Sequence, residues 1–246
     1  MAFDSGPTTT WLTTFNQAPL AHYVTHPKKR FRFQFGPVYY RGRLNGTARV
    51  LVIGQDPSTN ELLAQRTFVG QSGQRVQRLL AKLGITRSYL MLNTFLFPVF
   101  GQFDTELRNI SLEQPIITFR NLLLDKAKTD NTLQAIILMG AAPKHAYDNW
   151  TGRPPIPAFF LTHPAAADTT VLVDWNKDLQ AMAAAITPDT GGVVNTTPYG
   201  TKFTSADIAA IPDFDMPFGT PDWQRDGGGR STRDGDNKII WESPLI

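Results

Sequence analysis

Five side chains of this sequence have types and places that could do chemistry together: Gln55, Asp56, Phe68, Asn93 and His163. The stretch RVLVIGQDPSTNELLAQRTFVGQSG, from Arg49 to Gly73, holds the first three, and Arg66 sits in the same stretch. An amide such as that of Asn93 reads the edge of a planar heterocycle with one donor and one acceptor, and an aromatic ring stacks on its face. A carboxylate and an imidazole can handle charge that develops on a sugar and a departing base. Each residue also has a plainer reading when taken alone. Asp56 before Pro57 is ordinary turn chemistry, Asn93 could cap a strand end, Phe68 could be core, and His163 could be structural. Arg66 and Gln71 could touch phosphate.

Convergence requires a scaffold, and the hydrophobic pattern supplies one. Apolar, β-branched runs predict strands at RVLVIG, YLMLN, LQAIILMG and AFFLTH. Between them, Val76, Leu79, Leu80 and Leu83 fall on one face of a helix capped at Ser72 and ended by Gly84. Further helices are expected over PIITFRNLLLDKAK, APKHAYDNW and VDWNKDLQAMAAAI. Alternating strands and helices imply an α/β fold, three layers (α/β/α) around a central, mainly parallel sheet. In such a sheet, ligands bind outside the carboxyl ends of the strands. Gln55 and Asp56 follow one strand, Asn93 ends the next and His163 follows the last, whereas MGAAP offers only backbone and small side chains.

The remaining segments are expected to be accessory. Trp11, Phe15, Leu20 and Tyr23 suggest an opening helical cover, and KKRFRFQFGPVYYRGRLNG a hairpin or extended arm with a solvated basic face. Arg75, Arg78 and Lys82 are assigned to the solvent side of their helix, and His145 to an exposed position. Residues 1–188 are read as the catalytic domain. Residues 189–246 are read as an irregular extension pinned by Phe203, Phe214, Trp223 and Trp241, with RDGGGRSTRDGDNK its most linker-like part.

Composition narrows the chemistry. Without cysteine among 246 residues, a disulfide, a thiol nucleophile and a cysteine-ligated metal are excluded. Lys and Arg total 24 against 21 acids, a mildly basic balance that favours a nucleic-acid partner only where it clusters. No apolar run reaches the roughly 18 to 20 residues of a membrane span, and MAFDSGPTTTW lacks the regions of a signal peptide. A cytoplasmic protein, monomeric and without a membrane partner, is expected.

The ordered set GQDP, RTFVGQSGQRVQRLL, MLNTF and LTHPAAAD with WNKDL resembles the uracil-DNA glycosylase superfamily over about residues 49–186. GQDP is similar to the first motif of its family-one enzymes, and the FVG and HPAAA segments to the iron–sulfur, family-four type. The chain departs from both, as an atypical member would. It has none of the four cluster cysteines, Ser58 and Thr59 replace Tyr-His after GQDP, and no wedge residue follows His163-Pro164. The resemblance implies hydrolysis of the N-glycosidic bond of deoxyuridine in uracil-containing DNA. Asp56 would activate water and stabilise the sugar cation, and His163 with the Gln55 backbone would support charge on uracil O2. Phe68 would stack on the flipped base, Asn93 would read its edge, and Ser58 and Arg66 would contact substrate. Glu61 or Leu62 would fill the space beside the base's C5. No metal or redox cofactor is implied, so activity should survive EDTA. The same residues could serve a glycosylase for another deaminated base, or a non-catalytic binder of damaged or abasic DNA.

Overall fold

Successive side chains of a strand point to opposite faces of its sheet, and here both faces are buried. The computed structural model describes residues 3–34 and 36–217. Strands β1 (Tyr40–Gly42), β2 (Val50–Gly54), β3 (Tyr89–Asn93), β4 (Ala135–Met139) and β5 (Ala158–Leu161) form one sheet in the order β1-β3-β2-β4-β5. All neighbours are parallel except β1, which runs antiparallel to β3 at the edge. Leu51, Ile53, Leu90, Leu92, Ile136 and Leu138 point into one core. They meet helices α1 (Thr9–Phe15), α2 (Leu20–Tyr23), α5 (Thr105–Ser111), α6 (Gln114–Asp130) and α7 (Ala141–Asp148). Val50, Val52, Met91, Ile137 and Met139 point the other way, onto α4 (Gln71–Lys82) and α8 (Asp168–Ala185). The architecture is therefore the three-layer α/β/α sandwich that the alternating pattern implies.

Local chemistry sets the boundaries. Val76, Leu79, Leu80 and Leu83 of the α4 stripe are fully buried, and Gly84 ends the helix at φ +74°. The helix starts at Gln71 with Gly70 as its cap, two residues before the expected cap at Ser72. Helix α8 begins at Asp168, within PAAADTT, which the sequence suggested was loop. The stretch after β2 contains a short helix, α3 (Thr59–Ala64), where only loop was expected. Among the described residues no helix is long and apolar enough to cross a membrane.

Several basic residues lie elsewhere than the sequence suggested. KKRFRFQFGPVYYRGRLNG does not fold back on itself as a hairpin; Phe31 pairs with Val99 and β1 pairs with β3. Arg41, expected on a solvated face, is fully buried, and its Nη1 donates to Gln77 Oε1 at 2.8 Å and to Asp215 Oδ2 at 3.0 Å. Arg43 and the Tyr89 hydroxyl also donate to Asp215, the latter at 2.5 Å. Lys82 is buried, donating to the Thr197 carbonyl at 2.7 Å over the Tyr199 ring. Arg75 donates to the Pro164 carbonyl and lies 3.9 Å over the Phe203 ring. His145, expected to be exposed, is half-buried against Phe103.

The partners Thr197, Tyr199, Phe203 and Asp215 come from the segment after residue 188. Asp189 accepts from the backbone N–H groups of Thr86, Arg87 and Ser88, and Phe214 lies beneath the guanidinium groups of Arg43 and Arg87. Trp223, Trp241 and RDGGGRSTRDGDNK lie outside the described residues. Removing one member of a buried ion pair strands the other charge, which typically costs about 3–5 kcal/mol. Asp215→Ala should therefore destabilise the chain by about that amount in denaturant unfolding. A loss below about 1 kcal/mol, the scale of surface pairs, would show that Arg41 does not depend on it.

Candidate active site

Three strand ends meet at one edge of the sheet. Gln55 and Asp56 leave β2, Asn93 is the last residue of β3, and His163 lies just beyond β5. Gln55, Asp56 and His163 line one cavity of about 720 Å³, with Gly140, Phe160 and Lys144 among the other walls.

The Asp56 carboxylate is held at both oxygens. Oδ2 accepts from the Val99 backbone N–H at 2.7 Å and Oδ1 from Gln55 Nε2 at 3.0 Å. Burial pushes its pKa up from the ordinary carboxylate value to about 6; the two hydrogen bonds oppose that rise and the negative charge of Glu61 adds to it. Asp56 is thus ionised at neutral pH but easily protonated below it.

His163 is fixed in one protonation pattern. The Ala165 backbone N–H donates to its Nδ1 at 3.1 Å, so the single proton of the neutral ring lies on Nε2. Burial lowers its pKa, against a smaller opposing pull from Glu61. A neutral imidazole therefore offers an N–H to the cavity. Gly140, at φ +105°, packs closely against His163; a Cβ there would lie 3.2 Å from His163 Cβ.

Phe68 and Asn93 do not line this cavity. They close over Gly54, the residue preceding Gln55, and Gly54 pairs in register with Asn93. A Cβ at Gly54 would fall 2.5 Å from both Asn93 Oδ1 and Phe68 Cζ. Phe68 reaches this position from a left-handed backbone conformation, φ 55°. Asn93 is only 8% exposed.

The loop between these residues is tied by Glu61, which is itself 6% exposed. Its Oε2 accepts from the Ser58 N–H at 2.8 Å and from the Ser58 hydroxyl. Its Oε1 accepts from Val69 and Gly70 N–H at 3.2 and 3.4 Å. The Glu61 carboxylate is thereby spent on the loop, and Leu62 is buried. Ser58 caps α3 rather than facing the cavity. Arg66 is held away from it by Asp4, at 2.8 Å, and by the Tyr40 ring.

Sequence reasoning did not single out Lys144 or Phe160. Lys144 Nζ pairs with Asp148 at 2.7 Å and lies 4.9 Å over the Phe160 ring. Lys144 is the fourth residue of α7, which begins at Ala141 within the apparently featureless GAAPK, and Phe160 lies on β5; both line the cavity.

Compared with models of protein families, residues 41–183 match the uracil DNA glycosylase superfamily, more than half of the chain. No curated protein matches it.

The raised pKa of Asp56 has a stability consequence. A carboxyl more easily protonated in the folded state contributes stability that is full below its unfolded value, near 4, and is lost as pH rises through about 6. Above that range the fold carries the cost of a buried charge. Asp56→Asn should accordingly melt higher than the wild type at pH 8, with the gap closing as pH falls to 4. The same shift at both pH values would mean that the charge is not the cause.

Proposed function

This chain belongs to the uracil DNA glycosylase superfamily, and from that premise we propose that it is a monofunctional uracil-DNA glycosylase of base excision repair. Membership supports a DNA glycosylase. The choice of uracil as the base rests on Asn93 and on the groups around it.

In this reading, a deoxyuridine is taken out of the base stack so that its glycosidic bond reaches the carboxyl edge of the sheet. Uracil enters from the cavity of Asp56 and His163 and stacks on the side of the Phe68 ring away from Gly54. The Asn93 amide donates to O4 and accepts from N3–H. As the C1′–N1 bond breaks, the electron pair passes to uracil, whose O2 carries part of the charge, and His163 Nε2–H donates to that oxygen. Asp56 faces the cationic sugar and orients the water that adds to C1′. The products are free uracil and an abasic deoxyribose, with the water's proton passing to solvent or base. Lys144 is engaged by Asp148, consistent with water as the nucleophile. DNA is the partner, and no cofactor enters the chemistry.

The observation that carries this reading is the pair Asp56 and neutral His163 in one cavity, each set by a backbone N–H. A preorganised donor aimed at developing charge is commonly worth about 3 kcal/mol.

A labelled oligonucleotide with one uracil, incubated in single turnover and then cleaved with alkali, tests it. The wild type should generate abasic sites, with a rate that rises as pH passes about 6 and Asp56 ionises. Asp56→Asn should retain DNA binding while losing roughly 10²- to 10⁴-fold in rate. No uracil release by the wild type, or full activity in Asp56→Asn, would overturn the assignment.

A further inference from the structure

Away from the cavity, two histidines and a glutamate share a single point in space. His22 ends its ring on Glu113, with Nε2 2.5 Å from Oε2, and His26 Nε2 lies 3.1 Å from the same oxygen. His22 and His26 are four residues apart. The chain beyond α2 keeps its helical course, with Thr25 N–H bonding the His22 carbonyl and His26 N–H the Tyr23 carbonyl. That spacing stacks the two rings on one side, 5.4 Å apart and edge to face. Glu113 enters from the residue before α6. None of the three lines the cavity of Asp56.

From this geometry we infer a binding site for a divalent transition ion of the zinc class, with His22, His26 and Glu113 as its protein ligands. Among the described residues, these are the three whose ligand atoms can meet at one ion, all lying within 4.8 Å of one another. Zinc bonds of about 2.0–2.1 Å to imidazole nitrogen and carboxylate oxygen, in a tetrahedron, hold such atoms roughly 3.3 Å apart. The two His–Glu contacts, at 2.5 and 3.1 Å, need to lengthen by less than about 1 Å to reach that spacing. Two imidazoles and one carboxylate are a donor set that zinc, copper or nickel takes and magnesium or calcium does not. A second feature points the same way: His26 Nε2 is buried without a hydrogen-bond partner. Its 3.1 Å approach to Glu113 is an ion-pair contact without hydrogen-bond geometry; a buried nitrogen lacking a hydrogen bond is costly, and a metal bond would satisfy it. A half-buried setting leaves the fourth position to water.

The ion would tie the N-terminal helices to the α5–α6 junction. It also lies close to what orients Asp56. The His26 ring packs on Phe31 at 5.9 Å, Phe31 pairs with Val99, and Val99 N–H holds the Asp56 carboxylate. The site is therefore a brace, and takes no part in bond cleavage.

Full-length protein stripped with EDTA and dialysed should bind one equivalent of Zn²⁺ in isothermal titration. With Co²⁺ it should show the visible absorption of a tetrahedral centre, and Zn²⁺ should raise its melting temperature. Loss of a direct ligand should weaken binding at least as much as the roughly 10- to 100-fold typical of outer-shell changes. His22→Ala, His26→Ala and Glu113→Gln, each checked for native circular dichroism, should all do so and lose the thermal shift. His145→Ala should keep both. Absence of saturable binding by the wild type, or unchanged binding in the three variants, would reduce the cluster to an ordinary His–Glu ion pair and overturn the inference. Uracil release does not enter either result.

Discussion

Only a hydrogen fits on the Cα of Gly54, and the site is arranged around that vacancy. The last residue of β2 faces the last residue of β3, so any side chain there would displace the Asn93 amide and the Phe68 ring together. The chain then spends Glu61 to keep Phe68 in place. Four donors from Ser58, Val69 and Gly70 converge on one buried carboxylate, closing the loop between the strand and α4. The same negative charge raises the pKa of Asp56 and opposes the burial that lowers that of His163. Loop closure and electrostatics are thus coupled through one residue.

Asp56 depends on a second, separate support. Its carboxylate is aimed by Val99, in an apolar loop that follows β3, and that loop is held by Phe31 and by Arg32 N–H to the Pro98 carbonyl. Residues Phe31 and Arg32, ahead of β1, therefore act on the site through backbone hydrogen bonds rather than by lining it. The segment after residue 188 works on the opposite layer, covering the polar side of α4 and neutralising Arg41 with Asp215.

The strands and the α4 stripe were legible because their signals are local: β-branched runs and an apolar repeat of helical period. Gln55, Asp56 and His163 were legible for a related reason, since each directly follows or soon follows a readable strand. What escaped was decided by distant partners. Arg41 reads as a surface base until Asp215, 174 positions later, is placed beside it. Lys82 and Arg75 look solvated until Tyr199 and Phe203 lie under them. Helix α3 has too few apolar residues for a period and is defined by its capping box at Ser58 and Glu61. Arg66 shared a loop with Phe68, but its side chain turns to Asp4. Lys144 was hidden because its neighbours are small and only the helix phase aims it at the cavity.

The central claim is that Asn93, closed over Gly54 with Phe68, reads the base. Uracil and cytosine differ at the O4/N4 and N3 edge, and a site built to pair with one leaves groups unpaired with the other, commonly a discrimination of roughly 10⁴-fold or more. The decisive measurement is single-turnover release of uracil and of cytosine from matched oligonucleotides, by the wild type and by Asn93→Asp. The wild type should reject cytosine strongly. The variant, able to accept from the exocyclic amine, should lose uracil activity and gain cytosine release. An active Asn93→Asp enzyme that rejects cytosine as firmly as the wild type would contradict the claim.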